Sequence, residues 1–544
     1  MRYADDARRW IDADPDPATR EELAALIDAG DEDGLARRFS HPLVFGTAGL
    51  RGPLMAGPAG MNRLSVRRAT QGVVAWLAEL GLEPDRGVVV GRDARHGSEA
   101  FNDEAVAVLL GAGVTVYEMP RPLPTPYVPY ALAQLGAAAG IMITASHNPP
   151  RDNGYKLYAA DGAQIIPPSD ERVEHFMARA GEARLGERSS PGHHLIDESL
   201  LARYREHVVG RFGVGASELA ITYTPLHGVG GAPMAELFAA AGYSRVTLVE
   251  SQFAPDPAFP TLAFPNPEEP GALDLATARA DEAGSRIVIA NDPDADRLGV
   301  AVRGSSGWRV LRGDEIGWLL GDMLLAEARP GDVVATSVVS STMLARMAAA
   351  AGVACVTTLT GFKWISRAAG TGRLLFGYEE AIGFAVDPLV ADKDGLSAAL
   401  AICALATRLS REGATLLTRL DELEERFGVH SGGALSVRAE GEDGLAALAG
   451  ALADLTRRPP STLGAESVAN VVDLATGWRG LVTEGVLFEL ANGRVIVRPS
   501  GTEAKLKVYV ELVEDAGEDL AATRMRGAVA VATVLEDLEQ RLRV

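Results

Sequence analysis

The strongest constraint on the fold is an uncharged run that breaks into a polar turn. Residues 137–143 hold only apolar side chains and one glycine, and read as a strand covered on both faces. The run stops at Thr144-Ala145-Ser146-His147-Asn148-Pro149-Pro150, and Arg151-Asp152-Asn153-Gly154-Tyr155-Lys156 follows. The carboxyl end of such a strand is where open α/β sheets place their chemistry. The turn is expected to expose the Ser146 hydroxyl, with His147 beside it and the Lys156 ammonium a little further on. Ser and Asn also serve ordinary capping turns, so the segment alone leaves both readings open.

The same alternation runs through most of the chain. A strand over 87–91 leads through Arg92-Asp93-Ala94-Arg95-His96-Gly97-Ser98 into a helix over 99–111, then a strand over 114–118 and a Pro-rich connector over 120–129. Further strand–helix units begin near 219 and 332. Strands alternating with helices imply mostly parallel sheets, and three units of similar size in series imply a repeat at the level of the fold. Residues 5–37 read as acidic amphipathic helices that dock through Trp10, Leu23, Leu26 and Leu35. Residues 181–195 hold Gly, Ser, Pro and the adjacent His193 and His194, and read as a flexible surface loop rather than a metal site. Near 428–434 the composition shifts to a smaller α+β unit, closed by an amphipathic helix over 517–541. With about 150 residues per domain, the expected architecture is three similar mixed- or parallel-sheet α/β domains plus a smaller C-terminal α+β domain around a central cleft. The boundaries fall at 1–208, 209–325, 326–428 and 429–544.

A net charge of −21 argues against nucleic acid or anionic membranes as partners. An anionic substrate would have to be held by local clusters of cations, which makes each Arg or Lys in a Gly-rich loop informative. Cys355 and Cys403 lie in apolar stretches without metal-ligand spacing and read as buried thiols of a reducing compartment. The N-terminal residues form no apolar signal core, and no run approaches a membrane span, so a cytoplasmic location is expected. Oligomeric state is not legible.

Several loops carry chemistry. In Phe45-Gly46-Thr47-Ala48-Gly49-Leu50-Arg51-Gly52, small residues beside one Arg make a backbone that a phosphate can approach, although a plain Gly turn fits as well. The strand over 286–290 runs into Asn291-Asp292-Pro293-Asp294-Ala295-Asp296-Arg297. Three carboxylates at alternate positions in a turn can converge on one cation, and hard oxygen ligands select Mg²⁺ or a similar ion. An EF-hand loop is excluded: Arg297 stands where it needs Gly, Arg303 where it needs an acid, and a strand precedes in place of a helix. The stretch from Thr224 to Gly231 is no dinucleotide fingerprint, because Pro233 occupies the third glycine position. Gly377-Tyr378-Glu379-Glu380-Ala381-Ile382-Gly383 offers carboxylates that suit sugar hydroxyls or simple surface charge. Arg498-Pro499-Ser500-Gly501-Thr502-Glu503 combines hydroxyls, backbone N–H groups and one forked cation, the parts of a phosphate cradle or of an ordinary hairpin turn.

In order and spacing these motifs resemble the α-D-phosphohexomutases, the phosphoglucomutase and phosphomannomutase superfamily. T-A-S-H-N-P is similar to its phosphoserine loop, G-T-A-G-L-R-G to its amino-terminal Arg loop, and D-P-D-A-D-R to its metal loop. P-D-P-A-F-P-T with P-N-P-E, D-K-D-G and R-P-S-G-T-E also match its segments. The likeness spans residues 45–503. It implies a cytoplasmic, Mg²⁺-dependent phosphoprotein of carbohydrate metabolism: an intramolecular phosphotransferase that acts on a small sugar phosphate, with glucose 1,6-bisphosphate as intermediate and activator. Ser146, Lys156, Arg51 and His147 would be catalytic, and Ser146 with Asp292, Asp294 and Asp296 would bind the metal. Arg297, Thr360, Gly361, Glu379 and Lys393 would bind substrate, and Arg498, Ser500, Gly501 and Thr502 its phosphate. The sugar loop departs from the family's G-E-x-S-G at Ala381, which removes a hydroxyl contact and leaves the sugar open.

Interconversion of glucose 1-phosphate and glucose 6-phosphate is the first expectation, with mannose or pentose phosphates as alternatives. The TASHNPPRDNGYK and E-E-A-I-G segments look more like the branch of phosphoglucomutase 2 and the phosphopentomutases than like the muscle-type enzyme. A phosphatase or a non-catalytic sugar-phosphate-binding regulator are the weaker rivals. A GxSxG hydrolase is excluded for want of the motif.

Overall fold

Three sheets share one strand plan, and it places the loops. In the computed structural model, which describes residues 2–46, 49–438, 441–499 and 505–543, the chain divides into two compact units. The first is Met1–Leu311 with Ala381–Arg408, the second Arg312–Glu380 with Leu409–Val544.

The first sheet of the first unit runs in the order Leu50–Pro53, Asp152–Ala159, Ala139–Ile143, Val88–Arg92, Val116–Glu118, His193–Leu195. Val88–Arg92 lies at its centre, parallel to Val116–Glu118 on one side and to Ala139–Ile143 on the other. The chain then turns back, so that Asp152–Ala159 pairs antiparallel with Ala139–Ile143. The second sheet repeats the plan. Ile221–Thr224 lies between the parallel strands Val246–Leu248 and Ile287–Asn291, and Leu298–Gly304 returns antiparallel to Ile287–Asn291. In the second unit Asp332–Ser337 is again flanked by the parallel strands Ala354–Thr358 and Arg373–Glu379. The repeat expected from the spacing of the units is therefore present as topology. It places each candidate loop alike, between a parallel strand and the strand that follows it in the chain: residues 144–151 after Ala139–Ile143, 292–297 after Ile287–Asn291 and 380–382 after Arg373–Glu379.

The valines, isoleucines and alanines of Val88–Arg92, Ala139–Ile143 and Ile287–Asn291 are buried on both faces, as helices on both sides of a parallel sheet require. Around the first sheet, Val88, Val90, Ile141, Ile143 and Tyr155 pack with Val73, Trp76, Phe101 and Leu109 of the flanking helices. The C-terminal part of the second unit is an antiparallel sheet, Val429–Arg438, Lys505–Glu514, Gly493–Pro499, Val486–Leu490, Glu466–Asp473 and Thr462–Leu463. Its core joins Phe488, Val495, Val497 and Val508 to Val534 and Leu538 of helix Leu520–Leu542. This is the α+β part of the expected fold class.

At the N-terminus, helices Ala4–Ala13, Pro17–Ala29 and Glu32–Phe39 bury Trp10, Leu23 and Leu35 against Ala56 and Leu64, with Leu26 half-buried beside them. The segment 181–195 departs from its expectation as a flexible loop. Its end is the strand His193–Leu195, parallel to Val116–Glu118, and His193 Nε2 lies 2.7 Å from Glu118 Oε2.

Candidate active site

The Ser146 turn links two strands whose register sets Ile143 opposite Tyr155 and Met142 opposite Lys156. Within it Ser146 has φ 55, a left-handed conformation that costs a non-glycine residue about 1–3 kcal/mol. Ser146 N donates to Thr144 Oγ1 at 2.9 Å. Its hydroxyl donates to Asp292 Oδ2 at 2.8 Å and lies 3.2 Å from His147 Nδ1. The expectation of an exposed hydroxyl is therefore corrected: Ser146 is fully buried, because the Asp292 turn of the second sheet packs against it.

That turn is pressed from two sides. A Cβ on Gly228 would come within 2.3 Å of Pro293 Cα, and one on Gly395 within 2.4 Å of Arg297 O. Both positions need glycine for this close approach. Ala295, at the turn's apex, has φ 54. Asp292, Asp294 and Asp296 are fully buried, and one carboxylate oxygen from each lies within 4.8 Å of the others. Lys156 Nζ donates to Oδ2 of both Asp294 and Asp296 at 2.6 Å. Lys393 Nζ lies 2.9 Å from Asp296 Oδ2, and Thr125 Oγ1 donates to Asp294 Oδ2 at 2.5 Å.

Burial, then the charges of Asp294 and Asp296, push the Asp292 carboxyl well above the usual carboxylate range. Burial acts the same way on Asp294, but Lys156 outweighs it and holds that carboxyl low. For Asp296, burial and Asp294 are opposed and outweighed by Lys156, Lys393 and Arg297. The remaining oxygens, Asp294 Oδ1 and Asp296 Oδ1, are buried without a hydrogen-bond partner. Converging carboxylates with unspent lone pairs fit a hard divalent cation such as Mg²⁺.

Two guanidinium groups face the same place. Arg51 lies opposite Gly154 on the edge strand Leu50–Pro53, and its Nη1 donates to Asn148 Oδ1 at 3.3 Å. Arg297 N donates to Asp292 Oδ1 at 3.0 Å, and its Nη1 to Ala381 O at 2.6 Å. Burial, then the charges of Arg297 and Arg51, hold the His147 imidazole well below its ordinary range. A chain of net charge −21 thus gathers Arg51, Lys156, Arg297 and Lys393 around one serine and three aspartates. Thr47 and Ala48 of the Arg51 loop lie outside the described residues.

The second unit carries Thr360, Gly361, Glu379 and Arg498. Gly361 has φ 107 and opens the short helix Phe362–Ile365, Thr360 immediately precedes it, and Glu379 ends the strand Arg373–Glu379. Arg498 lies on Gly493–Pro499 opposite Lys507. Ser500, Gly501 and Thr502 lie outside the described residues. Sequence reasoning passed over Glu380 in favour of Glu379. Glu380 Oε2 accepts from Ser337 Oγ and Ser340 Oγ, each at 3.2 Å, and Glu380 N donates to Ser340 Oγ at 3.0 Å. Burial, then Glu379 and Asp314, push its carboxyl up to about 6. Its signal in the sequence was only a second acid in the turn after Arg373–Glu379. Thr125 was passed over as well, inside the Pro-rich connector over 120–129.

Four successive stretches match the descriptions of phosphoglucomutase/phosphomannomutase domains: alpha/beta/alpha domain I over residues 42–184, II over 202–306, III over 312–427, and the C-terminal domain over 435–527. A Haemophilus influenzae protein described as "Probable phosphomannomutase" is 38% identical, covering 83% of this chain and 93% of its own. The phosphopentomutase of Mus musculus is 36% identical, covering 95% of this chain and 91% of its own. Among solved structures, a phosphoglucomutase/phosphomannomutase family protein from Burkholderia thailandensis superposes with a TM-score of 0.69 at 22% identity, over 92% of this chain and 96% of its own. That likeness is one of fold.

Proposed function

This chain belongs to the phosphoglucomutase/phosphomannomutase family, and we propose that it moves a phosphoryl group between two oxygens of one sugar by way of Ser146. As a phosphosugar mutase it is an isomerase of the phosphotransferase type. The observation that carries the assignment to Ser146 is its hydroxyl, 2.8 Å from the first carboxylate of a buried three-aspartate turn and flanked by cations.

In this reading Ser146 carries the phosphoryl group between turnovers. A free hydroxyl of a bound sugar phosphate attacks phosphorus; the new O–P bond forms as the bond to Ser146 Oγ breaks, and Lys156 gives an ammonium proton to the released Ser146 oxygen and takes the hydroxyl proton in exchange. The bisphosphate then turns round and its other phosphoryl group passes back to Ser146; Lys156 gives a proton to the sugar oxygen released and takes that of the Ser146 hydroxyl in exchange. Asp292, Asp294 and Asp296 would hold Mg²⁺, which when bound offsets negative charge on the transferred group. Arg51 and Arg297 offset that charge from the protein side, and His147, kept neutral by burial and its cationic neighbours, orients the Ser146 oxygen. Glu379, Thr360, Gly361 and Lys393 bind sugar hydroxyls, and Arg498 with Ser500, Gly501 and Thr502 binds the phosphate that is not reacting. The four-part division at 208, 325 and 428 belongs to this proposal, each part supplying one loop.

For the sugar, interconversion of glucose 1-phosphate and glucose 6-phosphate is the first reading, as the family resemblance led us to expect. Pentose phosphate is a second reading with support of its own, since a phosphopentomutase matches nearly the whole chain. One experiment addresses both. Purified protein with Mg²⁺ and a trace of glucose 1,6-bisphosphate is assayed on glucose, mannose and ribose 1-phosphates, with Ser146→Ala in parallel. The expected result is turnover that ranks the sugars by kcat/KM and is lost in the variant. Release of free phosphate would sink the mutase reading, and unchanged turnover by Ser146→Ala would remove Ser146 from it.

A further inference from the structure

The Ser146 turn lies outside the ladder hydrogen bonds of its sheet, and its carbonyl oxygens converge on one guanidinium. Arg95 comes from the loop between strand Val88–Arg92 and helix Ser98–Gly111 and is buried. Its Nη2 donates to Ser146 O and Asn148 O, each at 2.6 Å. Its Nη1 donates to Pro149 O at 2.9 Å and Asp152 O at 3.2 Å. Four carbonyls between Ser146 and Asp152 thus share a single cation. The guanidinium is itself held. Its Nε lies 3.5 Å from Asp93 Oδ2, and its Cζ lies 4.9 Å from the ring centroid of Phe259. Asp93 Oδ1 accepts from Arg95 N at 2.9 Å and from Ser98 Oγ at 2.6 Å. Phe259 is buried, with φ 46, in the Pro255–Thr261 stretch of the second repeat.

We propose that Arg95 is a positioning residue for phosphoryl transfer, holding Ser146 in its left-handed backbone conformation so that the hydroxyl stays aimed at the Asp292 turn. The inference rests on the reading of Ser146 as the phosphoryl carrier. The carbonyl of Ser146 is one of the four, so the clamp acts on the backbone of the reacting residue itself. A charge-assisted, planar fork suits the task, because it presents several donors in fixed directions where an ammonium presents a point charge. Phe259 closes the guanidinium face through a cation–π contact, which ties the second repeat to the same turn.

The test compares Arg95→Ala and Arg95→Lys with the wild type, with Ser146→Ala alongside. Readouts are kcat and KM, the single-turnover rate of phosphoserine formation from glucose 1,6-bisphosphate followed by intact mass, and thermal unfolding. Arg95→Ala is expected to lower kcat and the phosphorylation rate by about 100-fold, the scale of a misplaced reacting group, while KM stays near the wild-type value. Millimolar guanidinium should restore part of the loss in Arg95→Ala and none in Ser146→Ala. Should Arg95→Ala fail to fold, Arg95→Lys carries the test, with a slower phosphorylation rate at full folded content. Wild-type phosphorylation rates in the folded variants overturn the inference, as does a loss that guanidinium leaves untouched and that follows the folded fraction alone. Turnover that survives in Ser146→Ala instead removes the carrier reading, so the two failures are distinct.

Discussion

Thr125 shows how much a single hydroxyl can carry. Its Oγ1 donates to Asp294 Oδ2 at 2.5 Å and its N donates to Asp294 O at 2.9 Å, two bonds from one residue to one proposed ligand. A carboxylate held at both backbone and side chain has lost most of its freedom before any ion arrives. Partners of this kind typically change metal affinity by about 10–100-fold when removed. Thr125→Val keeps the shape and deletes the donor, so it is expected to weaken Mn²⁺ binding by that order, and Thr125→Ser is expected to retain most of it. Mn²⁺ titration followed by electron paramagnetic resonance checks this, and equal affinities in all three proteins would refute it. Thr125 was illegible in the sequence for a physical reason: its partner lies 169 residues away, and local composition identified only a Pro-rich connector. The aspartates were legible because like charges crowded into one turn after a strand have few uses besides a cation. The burial of Ser146 was not legible, since it depends on a turn from another sheet.

At the scale of elements, the central parallel strands announced themselves through uncharged apolar runs, and their alternation with helices implied the repeat, while the antiparallel strands Asp152–Ala159 and Leu298–Gly304 did not. His193–Leu195 did not announce itself. Its neighbourhood is polar and Gly-rich, with Leu195 exposed, so no local preference favours a strand. Tertiary contacts decide the matter. Glu118, at the end of the neighbouring strand, accepts from Asn102 Nδ2 at 2.6 Å and from Arg188 Nε at 2.8 Å, besides its contact with His193. Burial would raise the Glu118 carboxyl, yet Arg188 and His193 outweigh it and hold it low. Removing this carboxylate strands several donors, a loss of about 1–3 kcal/mol. Glu118→Ala is therefore expected to speed amide hydrogen exchange selectively over 193–195 while kcat stays at the wild-type value. Uniform protection across the first sheet in that variant would show that the backbone ladder holds the edge strand without the ion pairs.

The whole molecule comprises two compact units, each with its own core, and such chains commonly unfold in more than one step. The second unit contains an acid-sensitive lock that no local pattern in the sequence disclosed. Glu511, on strand Lys505–Glu514, accepts from Ser341 Oγ and Thr342 N, each at 2.7 Å, and from Arg494 Nε at 3.1 Å, and lies 2.9 Å from His430 Nδ1. It thereby joins the loop after strand Asp332–Ser337 to the C-terminal sheet of the same unit. Burial would push this carboxyl up, but the hydrogen bond with His430 and the charge of Arg494 bring it down to about 2. A carboxyl held low in the folded state adds stability above its unfolded value, near 4.5, and that stability is lost as pH falls toward the folded value. The contribution is on the order of 3 kcal/mol. Thermal unfolding followed by tryptophan fluorescence separates the units in two backgrounds, one keeping only Trp10, Trp76 and Trp308 of the first unit and one only Trp318, Trp364 and Trp478 of the second, with phenylalanine at the other three positions. Between pH 5 and 3 the transition of the second unit is expected to fall steeply in the wild type. Glu511→Gln, already weakened at neutral pH, should lose much of that slope. A parallel acid limb in both proteins would show that other carboxylates set the acid limit.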